Sequence, residues 1–143
     1  MNKYKYSGSC HCGNITFEMA VPQKLNLYNP RACDCNFCLK HRASYISDEK
    51  GKLAISVKKK SKLNRYQHGD RIADFLICQT CGVLVGVCYE TQEHLYATIN
   101  ICTLEPTINF KQNQVVSPKK FGKNEKIQRW KDLWFANVAL ITN

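Results

Sequence analysis

Asp74-Phe75-Leu76-Ile77-Cys78-Gln79-Thr80-Cys81-Gly82-Val83-Leu84-Val85-Gly86-Val87-Cys88-Tyr89 is the stretch on which the reading of this chain turns. Asp74–Cys78 and Val83–Tyr89 are apolar and β-branched, which suits two buried strands. Between them, Cys78-x-x-Cys81-Gly82 has the spacing of a zinc knuckle. The glycine after its second cysteine suits a turn folded around a metal, where a φ that only glycine adopts cheaply is often needed. The chain is therefore read as a β protein with metal in its turns. A knuckle supplies only half of a tetrahedral site, so two more ligands must come from elsewhere.

Working outward, Cys10-His11-Cys12-Gly13 repeats the cysteine-then-glycine arrangement, and Cys33-Asp34-Cys35-Asn36-Phe37-Cys38 forms a third group. Cysteines one residue apart on an extended strand face the same way and can chelate one ion. A disulfide between them would close a small, strained ring. The three groups divide as four plus three. Cys10 and Cys12 are the economical partners of Cys78 and Cys81, because the middle group already has three ligands of its own. A structural zinc takes four protein ligands and a catalytic one typically takes three, leaving a position open. Two Zn²⁺ per chain are expected: a structural ion at Cys10, Cys12, Cys78 and Cys81, and a catalytic ion at Cys33, Cys35 and Cys38. An alternative for the second centre is a closed site with His41 or Asp34 as fourth ligand. Three thiolates leave a bound zinc with a charge of about −1, a weak Lewis acid better suited to binding a soft ligand such as a thiol. The four-cysteine run of a ferredoxin-type iron–sulfur cluster is absent. Cys88 and Cys102 lie in apolar, strand-like contexts and are read as core residues. His68 and His94 lie in polar stretches and are read as surface.

The remaining pattern is mostly strand. Asn14–Val21, Leu53–Val57 and Leu95–Ile101 are further candidates, the first two with a period of two. One helix is expected near the C-terminus, with Asn124 as N-cap and Ile127, Trp130, Leu133 and Trp134 on one apolar face. Trp134 could also wall a pocket. With 143 residues, one domain spanning 1–143 is expected, its core at about 4–110 and its helical tail at about 122–137. No apolar run approaches the roughly 18 residues of a membrane span, and the basic N-terminus has no apolar stretch after it. A cytoplasmic protein with reduced cysteines is expected. The formal charge of +10, about +7 after loading with two Zn²⁺ on seven thiolates, should attract anions.

The segments Gly8-Ser9-Cys10-His11-Cys12-Gly13-Asn14-Ile15-Thr16-Phe17, Cys33 to Cys38, Phe75 to Gly82 and Ile99-Asn100-Ile101-Cys102-Thr103-Leu104 together resemble the glutathione-dependent formaldehyde-activating enzyme family, which includes the centromere protein V group. The similarity covers most of residues 4 to 110. The tail, with Phe121-Gly122, Arg129 and Trp134, is similar to that of some bacterial members. The resemblance implies a mainly β fold of stacked antiparallel sheets, and the same division of the cysteines into a structural and a catalytic zinc. It also implies carbon–sulfur lyase activity: reversible joining of formaldehyde to the glutathione thiol to give S-hydroxymethylglutathione. Glutathione or another small thiol, with an aldehyde, would be the partner, rather than nucleic acid or a membrane. Asp34, His41 and Tyr45 are candidates for moving the hemithioacetal proton. Arg42 and the run Lys58-Lys59-Lys60 are candidates for attracting carboxylates. Two rival readings use the same features: a zinc-stabilised nucleic-acid or chromatin binding module, and a thiol or redox sensor that releases zinc.

Overall fold

The computed structural model describes residues 2–142. Along the chain run β1 (Tyr4–Ser9), β2 (Ile15–Val21), β3 (Arg31–Cys33), the short helix α1 (Asn36–His41), β4 (Ser44–Ile46), β5 (Lys52–Val57), β6 (Leu63–Tyr66), β7 (Asp74–Cys78), β8 (Leu84–Glu90), β9 (Leu95–Asn100), β10 (Gln114–Val116), α2 (Lys123–Leu133) and β11 (Asn137–Thr142). They form a four-stranded sheet in the order β1-β2-β5-β11 and a seven-stranded sheet in the order β10-β3-β4-β9-β8-β7-β6. The fold is thus mainly β with two sheets and a C-terminal helix, as read from the sequence. Pairing is antiparallel except at two edges, where β11 runs parallel to β5 and β10 parallel to β3. Among the described residues no helix is long and apolar enough to cross a membrane.

Alternation along the strands explains how two cores arise. In the seven-stranded sheet, Ile46, Leu76, Cys88, Ala97 and Ile99 point toward the four-stranded sheet and pack with Ile15, Phe17, Met19, Leu53, Ile55 and Val57. Burial of each such large side chain contributes about 1.5–3 kcal/mol, so this inter-sheet layer holds the fold. The opposite face presents Tyr45, Phe75, Val87 and the central part of β8 to Trp130 and Trp134 of the C-terminal helical segment. Phe75 stands opposite Val87, and Val87 opposite Thr98, in one cross-strand row. Strands buried on both faces read as unbroken apolar runs, which is why Val83–Tyr89 shows no alternation. The pairing of β7 with β8 also slips between Leu76 and Ile77, a bulge that re-aims the side chains on either side of it.

The C-terminal region departs from its expected outline. The helix spans Lys123–Leu133 rather than 122–137, and Gly122, not Asn124, is its N-cap. Trp134 is extended (φ −77°, ψ 160°) and its backbone N–H still reaches Trp130 O. Beyond it Phe135 bridges to Ala97 of β9, and the chain then joins β5 as β11. Leu133, placed on the apolar face, is instead 36% exposed, whereas Trp130 and Trp134 are buried. Cys88 is buried as expected, but Cys102 is exposed because residues 101–103 form a 3₁₀ turn rather than continuing the strand.

Candidate metal centres and the adjoining cavity

Four of the cysteines meet at turns. Cys10 and Cys12 follow β1; Cys78 ends β7 and Cys81 sits in the turn to β8. Their sulfurs all lie within 4.8 Å of one another, with Cys10 to Cys12 at 3.8 Å and Cys12 to Cys78 at 3.5 Å. A tetrahedron with Zn–S bonds of about 2.3 Å has edges of about 3.8 Å, so this donor set fits one ion. Both turns close in the same way. The amide of Gly82 donates to Cys78 O at 2.8 Å and that of Gly13 to Cys10 O at 3.4 Å. Gly13 and Gly82 have φ of +85° and +80°, the conformation that the cysteine–glycine pairs implied. Burial pushes Cys10 up to about 11. Burial also opposes ionisation of Cys81, but amide contacts from Cys12 and Val83 outweigh it and bring the thiol to about 6. His11, between two of these cysteines, is exposed and points away.

Cys33, Cys35 and Cys38 form the second group, their sulfurs also within 4.8 Å of one another. Local structure brings them together. Cys33 ends β3, Cys35 is the N-cap of α1, and Cys38 lies in the first turn of that helix. The Cys38 amide donates to Cys35 Sγ at 3.4 Å. Arg42 closes the helix in the left-handed region at φ 50°, and the Ala43 amide returns to Cys38 O at 3.0 Å. Hydrogen bonds from Cys33 and Cys38 pull Cys35 well below the usual thiol range. The same bonds push Cys33 and Cys38 up. This donor set also fits a metal ion, and it leaves one tetrahedral corner without a protein sulfur.

The two groups differ in what they adjoin. The three-cysteine group lies in the wall of a cavity of about 510 Å³, within the usual size range of small-molecule sites. Cys10, Cys12, Cys78 and Cys81 do not line it. Its floor is the outward row of the seven-stranded sheet, with Arg31, Tyr45, Phe75, Val87 and Thr98. Its roof is the α2 segment, with Lys126, Arg129, Trp130 and Trp134. The apolar C-terminal face is thus both packed on the sheet and a pocket wall.

Of the candidate proton carriers, only Tyr45 reaches the cavity. Its hydroxyl lies 3.2 Å from Cys38 Sγ, and burial, then the neighbouring Cys38, push its ionisation far up. Asp34 turns away to accept a bond from Ser117 Oγ at 2.5 Å, and its Oδ1 is buried without a partner. His41 is exposed and stacks on Phe37 at 4.7 Å; it does not line the cavity. Neither do Arg42 and Lys58–Lys60, which are exposed. The lysine run is instead tied to the turn after Cys12, with the Lys59 amide donating to Asn14 Oδ1 at 2.9 Å.

Three residues that sequence reasoning did not place here do line the cavity. His68 stacks on Phe75 at 4.7 Å, Phe37 at 5.2 Å and Tyr66 at 5.9 Å. Its Nε2 is buried without a hydrogen-bond partner, so the polar stretch around it misled the surface reading. Arg31 stands two residues before Cys33 on β3, a spacing that puts both side chains on one face; that was the available signal. Arg129 comes from α2, and nothing local in the sequence points it at the cysteines.

A family profile described as glutathione-dependent formaldehyde-activating enzyme matches residues 5–120. Among solved structures, a crystal structure of a Rhodobacter sphaeroides protein is similar at 26% sequence identity and a TM-score of 0.52, covering 71% of this chain and 89% of that one.

Proposed function

The chain belongs to the glutathione-dependent formaldehyde-activating enzyme family, and from that premise we propose that it is a zinc-dependent carbon–sulfur lyase. Its substrate is an adduct of a small thiol, such as S-hydroxymethylglutathione in exchange with glutathione and formaldehyde. One observation carries the reading: of the two metal-competent cysteine groups, the three-cysteine group lines the cavity and the four-cysteine group does not. Zinc held by Cys33, Cys35 and Cys38 would supply affinity for the substrate sulfur and lower the pKa of its thiol. The four cysteines at the turns hold a second, structural zinc. The protein acts in the reducing cytoplasm, where its cysteines stay free of disulfides.

In the cleavage direction the hemithioacetal hydroxyl loses its proton and the carbon–oxygen bond becomes a carbonyl. The carbon–sulfur bond breaks in that same step, and its electron pair stays on the departing thiolate. Addition runs the same steps backward. His68, which lines the cavity and whose buried Nε2 has no protein partner, accepts and returns the hydroxyl proton. The Tyr45 hydroxyl lies 3.2 Å from the Cys38 sulfur; with Cys38 a metal-bound thiolate it would donate to it and fix the ligand's orientation. Phe75, Trp130 and Trp134 exclude water from the open corner.

The test pairs metal stoichiometry on wild type and Cys35→Ser with NMR exchange between formaldehyde and glutathione. Two zincs in wild type, one in the variant, an intact fold and loss of accelerated exchange are expected. Exchange at the protein-free rate with fully loaded wild type would overturn the formaldehyde reaction.

A further inference from the structure

We propose that Arg31 and Arg129 form an anion subsite of the cavity that selects a thiol carrying its own carboxylate. The inference rests on the reading of Cys33, Cys35 and Cys38 as the sulfur-binding centre. It adds the chemical class of the thiol and names the residues that read it.

Arg31 is a positioned cation whose hydrogen-bond partners are neutral. Its Nη2 donates to Ser47 Oγ at 2.6 Å and to Thr98 Oγ1 at 3.3 Å. Both partners are neutral and both are themselves anchored: Ser47 donates to Leu133 O at 2.7 Å and Thr98 to Ile46 O at 2.8 Å. The first of these chains runs from β3 to the end of α2, so it couples Arg31 to the helix that carries Arg129. Arg129 in turn lies over the Phe121 ring, 5.9 Å from its centroid. Among the described residues the salt bridges are Arg65–Asp74 and Lys126–Asp70; neither involves Arg31 or Arg129.

Charge counting around the cavity points the same way. Its lining holds Arg31, Lys119, Lys126 and Arg129 against a single carboxylate, Asp70, which is already paired with Lys126 at 2.9 Å. A three-thiolate zinc centre brings a charge of about −1, enough to balance one arginine and not two. Arg31 and Arg129 line the same cavity, and two guanidiniums, always charged at neutral pH, repel each other there. A part-buried cation with only neutral partners is costly unless an anion completes it. The planar guanidinium suits a carboxylate, which it can hold with paired hydrogen bonds. Arg31 and Cys33 are two residues apart on one strand face, about 6.6 Å along the chain. An anion held by the guanidiniums therefore shares one cavity with the sulfur-binding cysteines. The chemistry required is a small oxyanion on the thiol itself, as in a mercapto acid or a short cysteinyl peptide.

The chain's two tryptophans, Trp130 and Trp134, both line the cavity, so intrinsic fluorescence reports occupancy without any catalytic assay. Zinc-loaded protein is titrated with 3-mercaptopropionate, 2-mercaptoethanol and inorganic phosphate at constant ionic strength. Wild type should bind the mercapto acid about tenfold or more tighter than the neutral thiol, as expected for a charge-assisted contact. Arg129→Gln and Arg31→Lys should each cut that preference severalfold and leave 2-mercaptoethanol unchanged. Arg129→Gln alone suffices if Arg31→Lys folds poorly by circular dichroism. Equal affinity for both thiols in wild type, or an undiminished preference in Arg129→Gln, would overturn the subsite. Phosphate binding as tightly as the mercapto acid would overturn its assignment to the substrate's own anion. A charge preference in a protein that shows no lyase exchange would leave the subsite standing and remove only the reaction.

Discussion

The two cysteine groups offer a metal the same kind of ligand, and the contrast lies in what each is tied to. Cys10, Cys12, Cys78 and Cys81 come from two distant turns; Cys12 and Cys78 are separated by 66 positions yet their sulfurs are 3.5 Å apart. A metal there would close a long loop and join the edge of the four-stranded sheet to the β7–β8 turn, near one edge of the seven-stranded one. Cys33, Cys35 and Cys38 come from one short run whose backbone is already shaped by β3, the α1 cap and the Ala43-to-Cys38 hydrogen bond. A metal there constrains little that is not already constrained. The lesson is that ligand spacing along the chain, as much as ligand number, separates a site that stabilises the fold from one that is free to exchange ligands.

The sharpest way to break this contrast is Cys78→Ser. With one distant ligand gone, the cross-link fails, and the loss should resemble that of a native disulfide, about 2–5 kcal/mol. A fall of about 10 °C or more in the melting temperature is expected for a chain of this size. A melting temperature within a few degrees of wild type, with one zinc missing by mass spectrometry, would show that the turns do not depend on their metal. Next in size is graded metal removal. On titration with a chelator, the ion at Cys33, Cys35 and Cys38 should leave first, with far-ultraviolet circular dichroism unchanged, because its fourth corner is open to competing ligands. The second ion should leave only together with the fold. A single step in which both ions and secondary structure vanish would erase the distinction.

Tyr45→Phe probes the same contrast more gently. It deletes the hydroxyl 3.2 Å from Cys38 Sγ and leaves the ring packed. Loss of such a supporting hydrogen bond typically weakens metal binding about 10–100-fold. The weakening should appear at the three-cysteine centre alone, read by competition with a chromophoric chelator. An equal effect at both centres would mean that Tyr45 acts through the fold and not through Cys38.

How much of this was legible in advance follows from which features are local. The cysteine groups, the glycines at Gly13 and Gly82, and the strands β2, β5, β7, β8 and β9 are written in short-range spacing and are legible in it. β3, β4 and β10 contain three residues each, too few to show a period. β11 has no neighbour in sequence to announce it, because it pairs with β5 across most of the chain. α1 exists because Cys35 caps it and Arg42 accepts a left-handed conformation; neither residue type advertises that role. The cavity was the least legible part. His68 sits in a polar segment and Arg129 on a separate helix, and only the closure of α2 over the sheet brings them near Cys33. The basic residues that stood out as a run, Lys58–Lys60, are solvated, while the single cations at Arg31 and Arg129 face the site.

Cys88 supplies the smallest test, since it belongs to neither group and isolates what burial alone does to a thiol in this fold. It is 1% exposed, and desolvation raises its ionisation from 9.0 to about 12, with Asp74 adding to the shift. A folded-state value raised above the unfolded one leaves stability untouched below the unfolded value. As pH climbs past 9 the unfolded chain gains free energy by ionising this thiol, while the folded chain cannot until about pH 12. Wild type should therefore lose about 1 kcal/mol more than Cys88→Ala between pH 8.5 and pH 10 in urea unfolding. The cavity created by the substitution lowers the variant's stability at every pH and so cancels from the difference. Parallel pH profiles for the two proteins would mean that Cys88 ionises as easily inside the fold as outside it. Burial would then no longer separate this thiol from the seven grouped as candidate metal ligands.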